Sequence, residues 1–408
     1  MQIQMLISLF ILFQLYNSVF CNQTLTFIEE FGLVYLQTSV QVGTPGISQK
    51  LQMLLGKRDE SVVGQLLFDS SVKTNNKQYY EDQLKNLTLY DMYNSSTAKI
   101  NPQQVQSASF FAGYGGYVIG NNVVDVMQVG DIQFNYTFLC ATQEMQLRSV
   151  QNANGIIYLN KYQDNLFDQM FEQDKIKTRD YIVDIKKLNS LGVMSKYQMN
   201  LQFDLDKDSD YYKYPSNPMT NSDAFSMMAY GVYLNGQDIS DKLKYFKVNF
   251  DYPVGDLGIG IPSDLYKLIS QKHNFLIENC PNCDCPETKA LPSFQIFTQE
   301  YVFEITSDMY LNQQPDISSQ LCQVFLFSKG DQFLFQKNYQ AVTQTAIMYE
   351  KESNSLKFIG TKTMQHMKIK NLMIILSLQD SFILLSLLYF ILLFIKGYKN
   401  LKMECYQN

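Results

Sequence analysis

Residues 123–140 read VVDVMQVGDIQFNYTFLC, a run rich in Val, Ile, Phe and Tyr. β-Branched and aromatic residues favour strands. Runs of the same composition recur along the chain, and turn residues such as Asn235-Gly236 separate them. The two clearest helical patterns lie at Leu166 to Gln173 and at Ser263 to Ser270. The sequence therefore predicts a mainly β, mostly antiparallel protein with few short helices.

The composition is that of a folded protein with no preference for nucleic acid. Of the 408 residues, 46% are hydrophobic and 18% are charged, which argues against disorder. The formal net charge is −6, and no run interleaves Lys or Arg with aromatic residues. Nucleic-acid binding depends on basic surface that releases counterions, so nucleic acid is not an expected partner.

The chain has an apolar segment near each end. Residues 1–21 have the length of a signal peptide, with cleavage expected near Cys21, and an uncleaved anchor is the alternative. Residues 372–395 are long enough to cross a bilayer as one helix, and residues 396–408 form a polar tail. Lysines flank this second segment on both sides, so the signal peptide must orient it. We expect a single-pass protein of the secretory pathway, with an extracellular or luminal ectodomain and a cytosolic tail.

Potential modification sites fit that location. Four Asn-x-Ser/Thr sequons predict N-glycosylation in a luminal body, at Asn22, Asn86, Asn94 and Asn135. Asn-rich sequences also contain such triplets by chance.

The cysteines allow two interpretations. Cys280, Cys283 and Cys285 are clustered, and thiolates together with His273 could hold zinc. An oxidising compartment instead favours disulfides, so neither a metal nor a cofactor is expected. Cys280 and Cys283 could pair locally, which leaves Cys140 buried in a strand and either free or bridged elsewhere. The pairing within the cluster stays open.

The order of segments from residue 34 to residue 360 resembles the pepsin-like aspartic protease family. Single motifs are weak, but they occur in the family's order. VYLQTSVQVGTPG (34–46) is similar to the first strand pair, and residues 111–131 resemble the flap hairpin. NGIIYLN (154–160) is similar to a conserved loop, and IMYEKESNSLKFIG (347–360) resembles the closing segment.

This resemblance implies two lobes of mainly β structure. The N-terminal lobe would span residues 30–205 and the C-terminal lobe residues 206–362, with the boundary near Leu205. The polar stretch between residues 207 and 225 is the expected boundary loop. The family's bridge in the C-terminal lobe would map onto Cys285 and Cys322.

The family's chemistry needs two carboxylates that share a proton and activate a water molecule. Counting from the Gly43-Thr44-Pro45 turn puts the first at Leu54, and counting back from Pro262 puts the second at Pro253. Neither residue can ionise. Both turn glycines remain, at Gly56 and Gly255. The resemblance thus implies a preserved fold without its catalytic pair.

Nearby acids and other motifs offer only weak replacements for the missing pair. Asp251 is two residues before Pro253 and would share its strand face, so it is a displaced candidate. Asp69 comes too late after the first turn and better matches a loop of the family. The flap tyrosine would be Tyr114 if the hairpin is one residue shorter than in the family, whereas strict counting gives Gly113. Serine or cysteine triads find no support because the chain has only two histidines, His273 and His366.

The function expected from these residues is that of a catalytically inactive pseudo-protease at a membrane surface. Its cleft between the lobes would bind an extended peptide or protein ligand as an added strand. An active but divergent aspartic endopeptidase is the first rival, and Leu54 and Pro253 argue against it. The second rival is a structural surface protein whose cleft is filled by bulky side chains.

Overall fold

A computed structural model describes most of the chain between residues 23 and 364. The described ranges are 23–29, 36–55, 65–74, 84–108, 117–145, 153–159, 165–188, 196–220, 225–243, 246–250, 259–271, 291–313, 322–324, 326–335 and 343–364. Within them the protein is mainly β with few helices, which confirms the predicted class. No helix in these ranges is long and apolar enough to cross a membrane.

The first ten strands precede residue 204. They are β1 (Gln23–Glu29), β2 (Leu36–Val42), β3 (Ile47–Leu55), β4 (Gln65–Thr74), β5 (Lys99–Ala108), β6 (Tyr117–Val129), β7 (Ile132–Met145), β8 (Gly155–Leu159), β9 (Tyr181–Leu188) and β10 (Lys196–Phe203). Helix α1 (Leu166–Glu172) lies between β8 and β9.

The remaining described strands are shorter. They are β11 (Asn217–Pro218), β12 (Phe225–Ala229), β13 (Gly231–Leu234), β14 (Gln237–Asp238), β15 (Phe246–Phe250), β16 (Ile259–Ile261), β17 (Phe294–Phe297), β18 (Tyr301–Ile305), β19 (Leu311–Gln313), β20 (Cys322–Val324), β21 (Leu326–Ser328), β22 (Gln332–Phe335), β23 (Ala346–Glu350), β24 (Ser355–Ile359) and β25 (Lys362–Thr363). Two helices accompany them, α2 (Ser263–Ser270) and α3 (Ser307–Tyr310).

Local sequence explains the two predicted helices and the predicted turn. Helix α1 begins at a capping box: the Asn165 side chain accepts from the N–H groups of Phe167 and Asp168, and Asp168 accepts from Asn165 N–H. Helix α2 begins directly after Pro262. The Asn235-Gly236 pair has positive φ at both residues, 49° and 80°, and connects β13 to β14. Both helices and the turn are confirmed.

The largest sheet joins early and late parts of the chain. Its order is β11-β24-β23-β9-β10-β1-β2-β3-β8-β4-β7-β6-β5. Strands β23 and β9, the third and fourth strands from one end of this sheet, pair with Tyr349 opposite Tyr181. The rings of Tyr181, Phe225 and Tyr349 pack against one another there, with centroids 5.2 to 6.4 Å apart. Strands β23 and β24 form the C-terminal hairpin. This hairpin is therefore part of the core that the N-terminal strands build.

A five-strand arrangement occurs twice. The first motif is β2-β3-β8-β4-β7 within the large sheet, and the second motif is the separate sheet β12-β15-β22-β16-β21. Successive pairings are antiparallel, parallel, antiparallel and parallel in both motifs. The matching strands also follow one another in the same order along the chain. The described fold thus contains an internal structural repeat, which the sequence analysis did not identify directly.

Candidate functional site

The first predicted site position lies near the end of a central strand. Leu54 is the penultimate residue of β3, and Tyr158 of β8 lies opposite it in parallel register. Strand β3 is held on its other edge by β2. The turn glycine Gly56 follows the strand and lies outside the described residues.

The second predicted position follows the matching strand of the second motif. Strand β15 ends at Phe250, between β12 and β22. Asp251, Pro253 and Gly255 come next in the chain and lie outside the described residues. Both strands that lead into the predicted site therefore occupy the same place in their motifs.

Asp69 is a buried structural acid in the first motif. Its side chain is 1% exposed, and it lies where a bulge interrupts the pairing of β4 with β7. Oδ1 accepts from the backbone N–H and the hydroxyl of Ser71, and Oδ2 accepts from Met92 N–H at 3.2 Å. A carboxylate engaged in this way holds the bulge in place. The resemblance implied that Asp69 lies in a loop, whereas it lies within strand β4.

Cys140 lies against that carboxylate. Its thiol is free, fully buried and 3.6 Å from Asp69 Oδ2. Burial raises the pKa of the Cys140 thiol well above its ordinary value, and the neighbouring Asp69 adds to the rise. The predicted burial of this cysteine is confirmed. A neutral, inaccessible thiol has no nucleophilic character, so Cys140 acts as a core residue.

A second buried acid, Asp125 on β6, is not among the site residues predicted from the sequence. Its side chain is 1% exposed and accepts from Tyr90 OH and Thr97 Oγ1, each at 2.5 Å, and from Val126 N–H at 2.7 Å. The Thr97 hydroxyl also lies 2.9 Å from that of Thr44. An acid inside the apolar run VVDVMQV was the only available signal, because its partners lie far away in sequence.

Hydrogen bonds around Asp125 hold the Gly43-Thr44-Pro45 turn in place. The position of Leu54 was counted from this turn. Gly43 has φ +88° and its N–H bonds to Val126 O at 2.8 Å. A Cβ atom at Gly43 would lie 3.0 Å from Ser95 Oγ and 3.3 Å from Asp125 Oδ2. Thr44 N–H donates to Ser95 Oγ at 3.0 Å. Glycine is needed here for both its conformation and its size.

Other predicted features are only partly within the described residues. Strands β5 and β6 form an antiparallel hairpin in which Ala108 lies opposite Tyr117, and Tyr114 belongs to the undescribed connection between them. Three sequon asparagines are exposed, as glycosylation would require: Asn86, Asn94 and Asn135. Asn22 lies outside the described residues.

The predicted disulfides and membrane segments also lie outside the residues that the structure describes. Cys322 begins β20, but its side chain is not described, and Cys280, Cys283 and Cys285 lie in the range 272–290, which is not described. The bridge from Cys285 to Cys322 stays a prediction. So do the signal peptide at 1–21, the helix at 372–395 and roles for His273 and His366. The described residues contain no cluster of His, Cys, Asp and Glu suited to a metal.

No protein-family model matches the chain, and a search of curated proteins found no match either.

Proposed function

We propose that this protein is a membrane-anchored, pepsin-like ectodomain without aspartic-protease activity that binds an extended peptide between two lobes. The observation that carries the proposal is the internal repeat. Its matching strands β3 and β15 run into the two predicted site positions, and β3 ends in Met53-Leu54-Leu55 with no acid. A pepsin-like reaction needs a carboxylate from each half.

The buried acids on β4 and β6 do not replace the missing group. Asp69 and Asp125 are both 1% exposed, and both carboxylates accept hydrogen bonds from neighbouring backbone and hydroxyl groups. A catalytic carboxylate must reach a water molecule and a substrate carbonyl. Asp69 and Asp125 instead stabilise a strand bulge and a turn. This supports a protein without aspartic-protease activity.

An extended peptide is the ligand that suits this architecture. Strand β5 is the last strand of the large sheet, and within the described residues only β6 pairs with it. An edge strand offers unpaired backbone N–H and C=O groups, to which a peptide can add as a further strand. We propose that the β5–β6 hairpin covers the peptide, with Tyr114 at its tip.

Membrane attachment and secretion complete the proposal. The apolar segment 372–395 would anchor the ectodomain, and segment 1–21 would direct it into the secretory pathway. Exposure of Asn86, Asn94 and Asn135 is compatible with glycans on the folded surface. Recovery of the full-length chain in the aqueous phase of a detergent extract would contradict the anchor.

The test is a cleavage and binding experiment on the purified full-length protein. Unbiased peptide libraries are incubated at acidic and neutral pH, with and without a transition-state inhibitor of aspartic proteases. We expect no inhibitor-sensitive cleavage, because removal of general acid–base catalysis alone costs about 10² to 10⁴-fold in rate. We also expect retention of a subset of peptides on the immobilised protein.

Each rival predicts a different result. Inhibitor-sensitive cleavage that disappears in an Asp251→Ala variant would establish the divergent endopeptidase instead. If the protein neither cleaves nor retains peptides, the result favours the structural surface protein with a filled cleft. Peptide retention without cleavage supports the proposal.

A further inference from the structure

Three buried polar atoms lie where helix α1 packs against the start of strand β9. They are Asp168 Oδ1, Arg179 Nε and Tyr181 OH, and none of them has a hydrogen-bond partner among the described protein atoms. The Asp168 side chain is 3% exposed and Tyr181 is 0% exposed. Buried polar groups in native proteins are nearly always paired, because an unpaired group loses its hydration without compensation. An acceptor and two donors at one contact therefore need a common explanation.

Ring packing brings these groups to the same side of helix α1. The ring of Tyr181 packs on that of Phe167, with the centroids 4.8 Å apart. The guanidinium carbon of Arg179 lies 4.6 Å from the centroid of the Phe171 ring. Phe167 and Phe171 are one helical turn apart, so their side chains are neighbours on the helix surface. Asp168 directly follows Phe167 and lies beside both contacts.

The two oxygens of the Asp168 carboxylate differ in their contacts. Oδ2 lies 3.1 Å from Nζ of Lys351, which belongs to the C-terminal hairpin. Oδ1 lies 3.8 Å from Arg179 Nη1, which is too far for a direct hydrogen bond. Polar groups separated by more than about 3.5 Å are commonly bridged by a water molecule. The contact between Asp168 and Arg179 has this geometry.

The chemistry of the three atoms selects a neutral ligand. An anion would be repelled by the Asp168 carboxylate, and a cation would be repelled by the Arg179 guanidinium. Burial, together with the nearby Tyr349 and the charge of Asp168, raises the pKa of Tyr181, so its hydroxyl keeps its proton. The ligand must then accept from two donors and donate to one acceptor. Buried water molecules typically make about three hydrogen bonds of this kind.

We infer that Asp168, Arg179 and Tyr181 bind one water molecule, which joins helix α1 to strand β9. The water accepts from Arg179 Nε–H and from the Tyr181 hydroxyl, and it donates to Asp168 Oδ1. The Arg179 side chain is 34% exposed, so the site lies close enough to the surface for water to enter. The inference does not depend on the proposed function, because it uses no residue of the proposed peptide site.

The sign of one substitution tests the site. If the Tyr181 hydroxyl binds this water, Tyr181→Phe should raise the equilibrium constant of unfolding roughly two- to tenfold, because a hydrogen bond is lost. If the hydroxyl has no partner, the same change removes an unpaired buried group and should lower that constant. The measurement is denaturation of the full-length protein, with the exposed Tyr93→Phe as the control. A Tyr181→Phe variant as stable as this control, or more stable, would overturn the inference.

A double-mutant cycle tests whether Arg179 and Tyr181 share the water. Arg179→Lys keeps the positive charge and removes Nε. Loss of either donor weakens the binding of a shared water, so the second loss should cost less than it does alone. The double variant should therefore be more stable than the two single changes together predict. Changes that simply add would show that the two donors act independently, and would refute a shared water.

A crystal structure of the full-length protein at a resolution that shows ordered solvent tests the position directly. We expect one water oxygen within about 3.2 Å of Asp168 Oδ1, Arg179 Nε and Tyr181 OH, and a weaker or displaced peak in Tyr181→Phe. A direct hydrogen bond between Asp168 Oδ1 and Arg179 would contradict the inference. So would an anomalous signal from a heavier ion at this position.

Discussion

At the scale of single residues, the Tyr90 hydroxyl stabilises the buried carboxylate of Asp125 by donating a hydrogen bond to it. Burial raises the pKa of Tyr90 far above its ordinary value, and the hydrogen bond to Asp125 and its charge raise it further. Tyr90 therefore stays a neutral donor at every physiological pH. Together with Thr97 it compensates Asp125 for its lost hydration.

Replacing Tyr90 by Phe should destabilise the protein by roughly 1 to 3 kcal/mol, because one oxygen of a buried carboxylate loses its donor. The measurement is chemical denaturation of wild type and variant. Tyr93→Phe is the matched control. Because Tyr93 is 73% exposed, the loss of its hydroxyl should leave the free energy of unfolding unchanged. Equal stability of the two variants would show that the bond to Asp125 is not important for folding.

At the scale of elements, helix α1 covers the part of β7 that extends beyond its neighbour β4, whose pairing with β7 begins at Leu139. Gln169 exchanges two hydrogen bonds with the backbone of Thr137, at 2.6 and 3.2 Å. Gln173 does the same with Asn135, at 2.8 and 2.7 Å. The side chains are four residues apart on the helix and contact alternate residues of β7. Two glutamine amides thus take the place of a neighbouring strand.

We expect the double variant Gln169→Ala/Gln173→Ala to lose roughly 1 to 3 kcal/mol of stability and to aggregate more readily, because it leaves unpaired four backbone groups on the part of β7 that extends beyond β4. Thermal unfolding and light scattering measure the two effects. Glu172→Ala on the exposed side of the same helix is the control and should behave as wild type. A double variant that unfolds and scatters like this control would show that water satisfies the strand edge equally well.

At the scale of the whole molecule, an ion pair ties the C-terminal hairpin to the N-terminal half. Lys351 Nζ lies 3.1 Å from Asp168 Oδ2 of helix α1, and Arg179 lies 3.8 Å from Oδ1. The Asp168 side chain is only 3% exposed. The backbone N–H of Lys351 also bonds to Asp180 at 2.9 Å. The Lys351–Asp168 ion pair joins residues 183 positions apart.

Substituting Lys351 by Met should lower the free energy of unfolding by roughly 1 to 3 kcal/mol, because a buried carboxylate loses its closest cation. Lys213→Met breaks the ion pair with Asp210, whose side chains are 75% and 85% exposed, and should leave stability unchanged. Denaturation curves of both variants decide the matter. Similar curves would mean that the hairpin is held by its apolar packing alone.

Local sequence was sufficient for the features that depend on short-range physics. The mainly β class, helices α1 and α2, the Asn235-Gly236 turn and the burial of Cys140 follow from residue periodicity, capping and turn preferences. Each of these features is decided by residues within a few positions of one another.

Only the tertiary structure decided the features that join distant residues. Asp125 finds Tyr90 35 positions away, and Gln169 finds Thr137 32 positions away. The match of β15 to β3 comes from the pairings of the strands in the two motifs, whereas counting along the chain assumes connections of constant length. Backbone pairing fixes register across a sheet, while loops gain and lose residues at little free-energy cost. Sequence alone therefore determined which elements form, and the paired strands determined which strands of the two halves correspond.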